Sequence, residues 1–200
     1  MFQILRVKHI VLAIFIVTGL FQLKGVTQNN KPAPPKVSNI VPKGIIIHSM
    51  AEYLNVNNDT LYAKEFLKSI KLSIHGFIQP NGTFDPMITP PQKALHAGKS
   101  THKPYNNLNA HYLGVELLVK GVHNFDSYSK AIEHKGTYSQ VQFDSCVSLC
   151  KRWMKQYNIP VERVVRHSDV SGDHVRGYGH GKTDPGSAFD WNRFIIAISE

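Results

Sequence analysis

Apolar and polar positions follow two periods along this chain, and the change from one to the other marks its elements. Gly44-Ile45-Ile46-Ile47 is a β-branched run ending in His48-Ser49, the pattern of a buried strand with a histidine at its tip. Residues 113–119 form a second apolar run, broken only by Gly114 and Glu116. Residues 74–78 predict a third strand, followed by the turn Pro80-Asn81-Gly82 and a return through Thr83-Phe84. The helical period governs residues 138–157, where Phe143, Cys146, Leu149, Cys150, Trp153 and Tyr157 share one face. Pro160 stops that helix, and residues 161–166 predict a last strand leading into His167. Leu61, Phe66 and Leu67 predict a helix over residues 58–69, with Asn57-Asn58-Asp59 supplying caps, and residues 190–198 predict a closing amphipathic helix. Strands and helices intermix without repeats. The expected fold is α/β, a single domain with a mixed central β-sheet flanked by helices.

The first residues break this pattern. Arg6, Lys8 and His9 precede an apolar run over residues 10–21, interrupted by Thr18 and Gly19. The run is short for a membrane-spanning helix and suits the apolar centre of a signal peptide, although no Ala-x-Ala site follows. Residues 1–25 are therefore expected to be a signal peptide or an uncleaved N-terminal membrane anchor, engaging the membrane during export to the periplasm or cell envelope. Gln28-Asn29-Asn30-Lys31 with Pro32, Pro34 and Pro35 make residues 26–42 a Pro/Asn-rich linker. Residues 43–200 remain for the domain.

Composition narrows the choice of partner. The 200 residues are 42% hydrophobic and 18% charged, which suits one globular core, and the formal net charge of +9 favours an anionic partner. No glycine-rich phosphate loop follows a strand, and basic residues are not interleaved with aromatics along one, so neither nucleotide nor nucleic acid is expected. Cys146 and Cys150, four apart on one helical face, read as small apolar core residues rather than a bridge. A monomer is expected.

Eleven histidines direct attention to metal chemistry. His48 and His167 each follow an apolar strand directly, and hydrolytic zinc sites use three protein ligands plus a water. Asp184, in Lys182-Thr183-Asp184-Pro185-Gly186, is the candidate third ligand. Glu116 is costly inside an apolar strand unless it faces outward or acts as a general base beside the metal. Lys182 is a candidate partner for a developing oxyanion.

These stretches resemble the type 2 N-acetylmuramoyl-L-alanine amidases, the AmpD-like family related to animal peptidoglycan-recognition proteins. The likeness is carried, in order, by Gly44–Ser49, Ser73-Ile74-His75-Gly76-Phe77-Ile78, Leu95-His96-Ala97-Gly98, Leu113-Gly114-Val115-Glu116-Leu117, Val164-Val165-Arg166-His167-Ser168-Asp169, and Lys182-Thr183-Asp184-Pro185-Gly186 with Ala188-Phe189-Asp190-Trp191. The resemblance implies zinc held by His48, His167 and Asp184, with Glu116 and Lys182 catalytic and His96 and Asn109 lining a substrate groove. Some relatives place a tyrosine where this chain has Ile74, so the glutamate-using branch is the better match. The implied reaction is zinc-dependent hydrolysis of the amide between N-acetylmuramic acid and L-alanine in peptidoglycan or muropeptides; the alternative is a non-catalytic peptidoglycan-binding module. One departure is a long glycine-rich loop over residues 171–181, carrying Asp173, His174, Arg176 and His180, which reads as a flexible groove wall, with His180 as a competing ligand the alternative.

Overall fold

A computed structural model describes residues 38–54 and 60–200. In chain order its first elements are β1 (Gly44–Leu54), β2 (Thr60–Leu61), α1 (Ala63–Ser69), β3 (Gly76–Ile78), β4 (Phe84–Pro86), β5 (Thr101–His102) and β6 (Tyr105–Asn106). There follow β7 (Tyr112–Val122), α2 (Phe125–Ala131), α3 (Gln140–Tyr157), β8 (Val164–Arg166), α4 (His167–Ser171), α5 (Asp173–Arg176) and α6 (Trp191–Ser199). Among the described residues, the main sheet runs β4-β3-β7-β1, with β8 beside the first half of β1 and β2 on its last residues. β1 pairs in parallel with both β7 and β8, while β2 and β4 run antiparallel to their neighbours. This is the mixed sheet with flanking helices that the sequence pattern predicts.

The period of two along β1 and β7 divides the interior. Ile45 and Ile47 meet Leu113, Val115 and Leu117 on one face, under Phe143, Cys146, Leu149, Cys150 and Trp153 of α3 and Phe194 and Ile198 of α6. The other face carries two smaller clusters. Ile46 packs with Ala97, Leu108, Tyr112, Val165 and Val170, and Met50 and Leu118 pack with Ala63, Leu67, Ile74 and Phe77. His48 and Glu116 fall on this second face, in the gap between the two clusters, and the parallel register sets them directly opposite each other.

Helix α3 starts at Ser139, whose hydroxyl accepts from the Gln142 N–H at 3.2 Å, and ends at Asn158 in the left-handed region (φ 54°). Its buried face contains one polar residue that the apolar pattern does not reveal. Gln142 is fully buried and donates from Nε2 to the carbonyls of Ile78 (2.7 Å) and Leu118 (3.0 Å), pinning the helix to two neighbouring strands.

Several elements differ from the sequence expectation. The helix expected over residues 58–69 begins only at Ala63, because Thr60 and Leu61 pair with β1; the expected caps at residues 57–59 lie outside the described residues. Residues 161–163 form a short 3-10 turn, leaving a three-residue strand before His167. Helix α2 has Tyr128 as its buried residue, too little apolar pattern to see; its signal is the reciprocal cap between Asn124 and Ser127. The last part of the expected linker belongs to the domain, since Ile40 donates to the Pro91 carbonyl and Lys93 to that of Ser38. The expected export segment, residues 1–25, lies outside the described residues. No described helix is long and apolar enough to cross a membrane.

Replacing Gln142 by leucine strands two strand carbonyls away from water while removing one unpaired side-chain oxygen. Gln142→Leu is expected to cost about 2 kcal/mol in urea unfolding with an unchanged slope; unaltered stability would contradict the pinning role.

Candidate metal centre

Three elements converge beside the gap in the second face. β1 supplies His48, and β8 pairs with β1 through Ile47–Arg166, so His167, the first residue of α4, emerges next to it. The two rings lie 4.2 Å apart between centroids. Asp184 arrives on a turn whose backbone is fixed on both sides. The Ser168 N–H donates to the Asp184 carbonyl at 3.0 Å, and the Tyr138 hydroxyl donates to that of Pro185 at 2.7 Å. Gly186 is left-handed (φ 77°) and passes so close to Ile132 that an added Cβ would sit 2.2 Å from its carbonyl oxygen, which only glycine allows.

The carboxylate of Asp184 lies 3.0 and 3.1 Å from Nδ1 of His167 and 3.5 Å from Nδ1 of His48, and the Ser49 N–H donates to it at 3.4 Å. One donor atom from each of His48, His167 and Asp184 falls within 4.8 Å of the others, and all three residues are buried. Burial, and then the charge His167 would carry, lower the His48 pKa to about 4, so its imidazole is neutral with a free lone pair. Burial alone would raise the Asp184 pKa; His167 and His48 outweigh it and hold the carboxyl far below the usual range. Two imidazole nitrogens and one ionised carboxylate suit a zinc-type ion.

Glu116 sits one strand away. Burial, then the charge of Asp184, push its pKa well up, opposed by Lys182, and its Oε2 is buried with no hydrogen-bond partner in the protein. Of the two sequence expectations for Glu116, the outward-facing one is excluded. Lys182 is exposed on a groove of about 520 Å³ whose walls include Tyr128, Arg176, His180, Thr183 and Asp184. His180, the competing ligand, is exposed on that wall and outside the donor cluster.

The family model described as N-acetylmuramoyl-L-alanine amidase matches residues 38–187. The chain belongs to this amidase family. It is 24% identical to 1,6-anhydro-N-acetylmuramyl-L-alanine amidase AmpD of Escherichia coli over 131 residues, 66% of this chain and 61% of that protein. It is 27% identical to the AmpD of Haemophilus influenzae over 130 residues, 64% and 60% of the two chains. The chain thus spans about three fifths of the length of these curated relatives. Among solved structures, its fold resembles that of AmpDh3 from Pseudomonas aeruginosa in complex with anhydromuramic pentapeptide, with TM-score 0.57, 19% identity, and 86% and 66% of the two chains covered.

His96 and Asn109, expected along the substrate groove, also carry hydrogen bonds that support the site. Both ring nitrogens of His96 are taken, Nδ1 lying 2.8 Å from His48 Nε2 and Nε2 lying 3.2 Å from the Tyr112 carbonyl. Asn109 is buried, and its Oδ1 accepts from the backbone N–H groups of His96 (2.9 Å) and Ala97 (2.8 Å). The apolar pattern also leaves out the brace behind His167. The Ala97 carbonyl lies 3.4 Å from His167 Nε2 and accepts from Arg176 Nη2 at 3.2 Å, so the expected loop is partly a structural element, α5. Tyr128 donates to the Ser49 carbonyl at 2.5 Å, next to His48.

If the three donors form the centre, His167→Ala removes the metal without unfolding the sheet. Wild-type protein is expected to retain stoichiometric zinc after dialysis and the variant almost none by elemental analysis; equal zinc in both would exclude this centre.

Proposed function

We propose that this chain is a zinc-dependent N-acetylmuramoyl-L-alanine amidase of peptidoglycan or its muropeptides, acting in the cell envelope after export. The observation that carries the reading is the buried, unpartnered Oε2 of Glu116, set in register beside a buried cluster of His48, His167 and Asp184. A stability-driven design would not keep that carboxylate there, because an unpaired polar atom in the interior costs a few kcal/mol. Family membership, and relatives named for cleaving anhydro-muramyl-L-alanine amides, support the choice of bond.

His48, His167 and Asp184 hold the ion in this reading. Zinc, when bound, supplies a Lewis acid for the scissile carbonyl and brings the pKa of a water to about 7. Glu116 takes a proton from the attacking water at Oε2, since burial has raised its affinity for protons towards that of a general base. The same carboxyl then delivers the proton to the nitrogen of the departing L-alanine, so that the stem peptide leaves as a neutral amine. Lys182, on the groove wall, places an ammonium where negative charge gathers on the carbonyl oxygen. The positive net charge favours approach of an anionic wall polymer, and that attraction weakens as salt rises.

Purified sacculi incubated with the chain are expected to release stem peptides beginning with L-alanine, identified by mass, and 1,10-phenanthroline should abolish the release. Products cut elsewhere in the peptide, or intact sacculi despite bound zinc, would overturn the reading. Glu116→Gln is expected to keep its zinc and lose turnover by a factor of about 10²–10⁴; near-normal turnover would remove Glu116 from the mechanism.

A further inference from the structure

His48 touches more than its would-be metal. Its second ring nitrogen, Nε2, lies 2.8 Å from Nδ1 of His96, with the rings edge-on at 85° and centroids 5.0 Å apart. That separation is close to the largest such a contact allows, so the two nitrogens meet nearly end to end, along their in-plane lone-pair and N–H directions. His96 Nε2 in turn lies 3.2 Å from the Tyr112 carbonyl oxygen.

The order of protons along this row follows from its last member. A carbonyl only accepts, so His96 Nε2 must carry the hydrogen. A neutral His96 then has a bare Nδ1, which must accept, so His48 Nε2 must donate. A neutral His48 is left with a bare Nδ1, the atom that lies 3.5 Å from Asp184. The opposite order needs a second hydrogen on His96, and without it sets a bare Nε2 lone pair against the Tyr112 carbonyl oxygen at 3.2 Å.

The fold holds this row in place. Asn109 fixes the backbone of His96 and Ala97 through its side-chain oxygen. Below the ring, Gly114 leaves the necessary space: a Cβ there would lie 2.5 Å from His96 Nδ1. Gly114 is two residues before Glu116 on the same face of β7, so one strand provides both the seat for His96 and the carboxylate.

We propose that His96 is a positioning residue for His48, transmitting the polarity of the Tyr112 carbonyl through an N–H···N bond so that His48 presents a bare Nδ1 to the ion before it binds. The proposal rests on the zinc centre of the preceding section but not on the identity of the bond cleaved. Both nitrogens of His96 are spent on the row.

Two measurements on the full chain test it. In the metal-free protein, long-range ¹H–¹⁵N spectra are expected to show both His48 and His96 as the Nε2–H tautomer. A predominant Nδ1–H tautomer at either ring overturns the proposal. Zinc affinity, read by competition with a chromophoric chelator, is expected to weaken about 10–100-fold in His96→Leu. His96→Gln, whose amide oxygen can accept from His48 Nε2–H, is expected to recover most of that loss. Unchanged zinc affinity in His96→Leu, with the wild-type circular dichroism spectrum, overturns the proposal as well. If His96→Leu does not fold, the tautomers of the wild-type protein decide alone. A chain that shows the tautomers and the zinc loss but leaves sacculi intact would keep this inference and lose the amidase reading.

Discussion

The parallel pairing of β1 with β7 is the constraint on which the rest depends. From Gly44–Tyr112 to Ala51–Val119 the two strands stay in step, and the register breaks only after Ala51. Because successive side chains alternate between faces, a slip of one residue would turn His48 or Glu116 into the packed interior under α3. The apolar runs prevent such a slip. Ile45, Ile47, Val115 and Leu117 are all fully buried in the cluster under α3, and a one-residue slip would put polar His48 or Glu116 in that packing. The hydrophobic core therefore sets the geometry of the polar site.

The second face then gives up packing for chemistry. Its two apolar clusters do not merge, and the space between them holds His48, Glu116, His96 and the approach of His167 and Asp184. Burial lowers the pKa of His48 and of His96, which suits ligands and hydrogen-bond relays better than cations. His75 extends the same logic into structure. It accepts from the Gly114 N–H at 2.9 Å and donates to the Gln92 carbonyl at 2.9 Å, so its ring joins β7 to the segment leading towards His96.

Much of this was legible in the chain because the relevant signals are local. The β-branched run before His48, the broken run around Glu116 and the apolar face of α3 each follow from a few consecutive residues, and each became an element. Their pairing was not legible, since register arises between segments far apart in sequence. Helix α2 escaped notice because it turns one residue, Tyr128, inward, and β2 because two residues carry no period. Resemblance pointed to His96 and Asn109 as groove residues; their hydrogen bonds to each other and to His48, across thirteen and forty-eight residues, were not legible in the chain. The seat at Gly114 was visible only as a small residue in a strand; its meaning needed the ring above it.

The central claim is that this register makes one metal centre in which Glu116 stands by without binding. Diffraction from zinc-soaked crystals at the zinc absorption edge tests it most directly. The account predicts one anomalous peak bonded at about 2.0–2.2 Å to Nδ1 of His48, Nδ1 of His167 and a carboxylate oxygen of Asp184, with Glu116 outside bonding distance. A peak that recruits Glu116 or His180 in place of one of these three, or lies away from them, would contradict it.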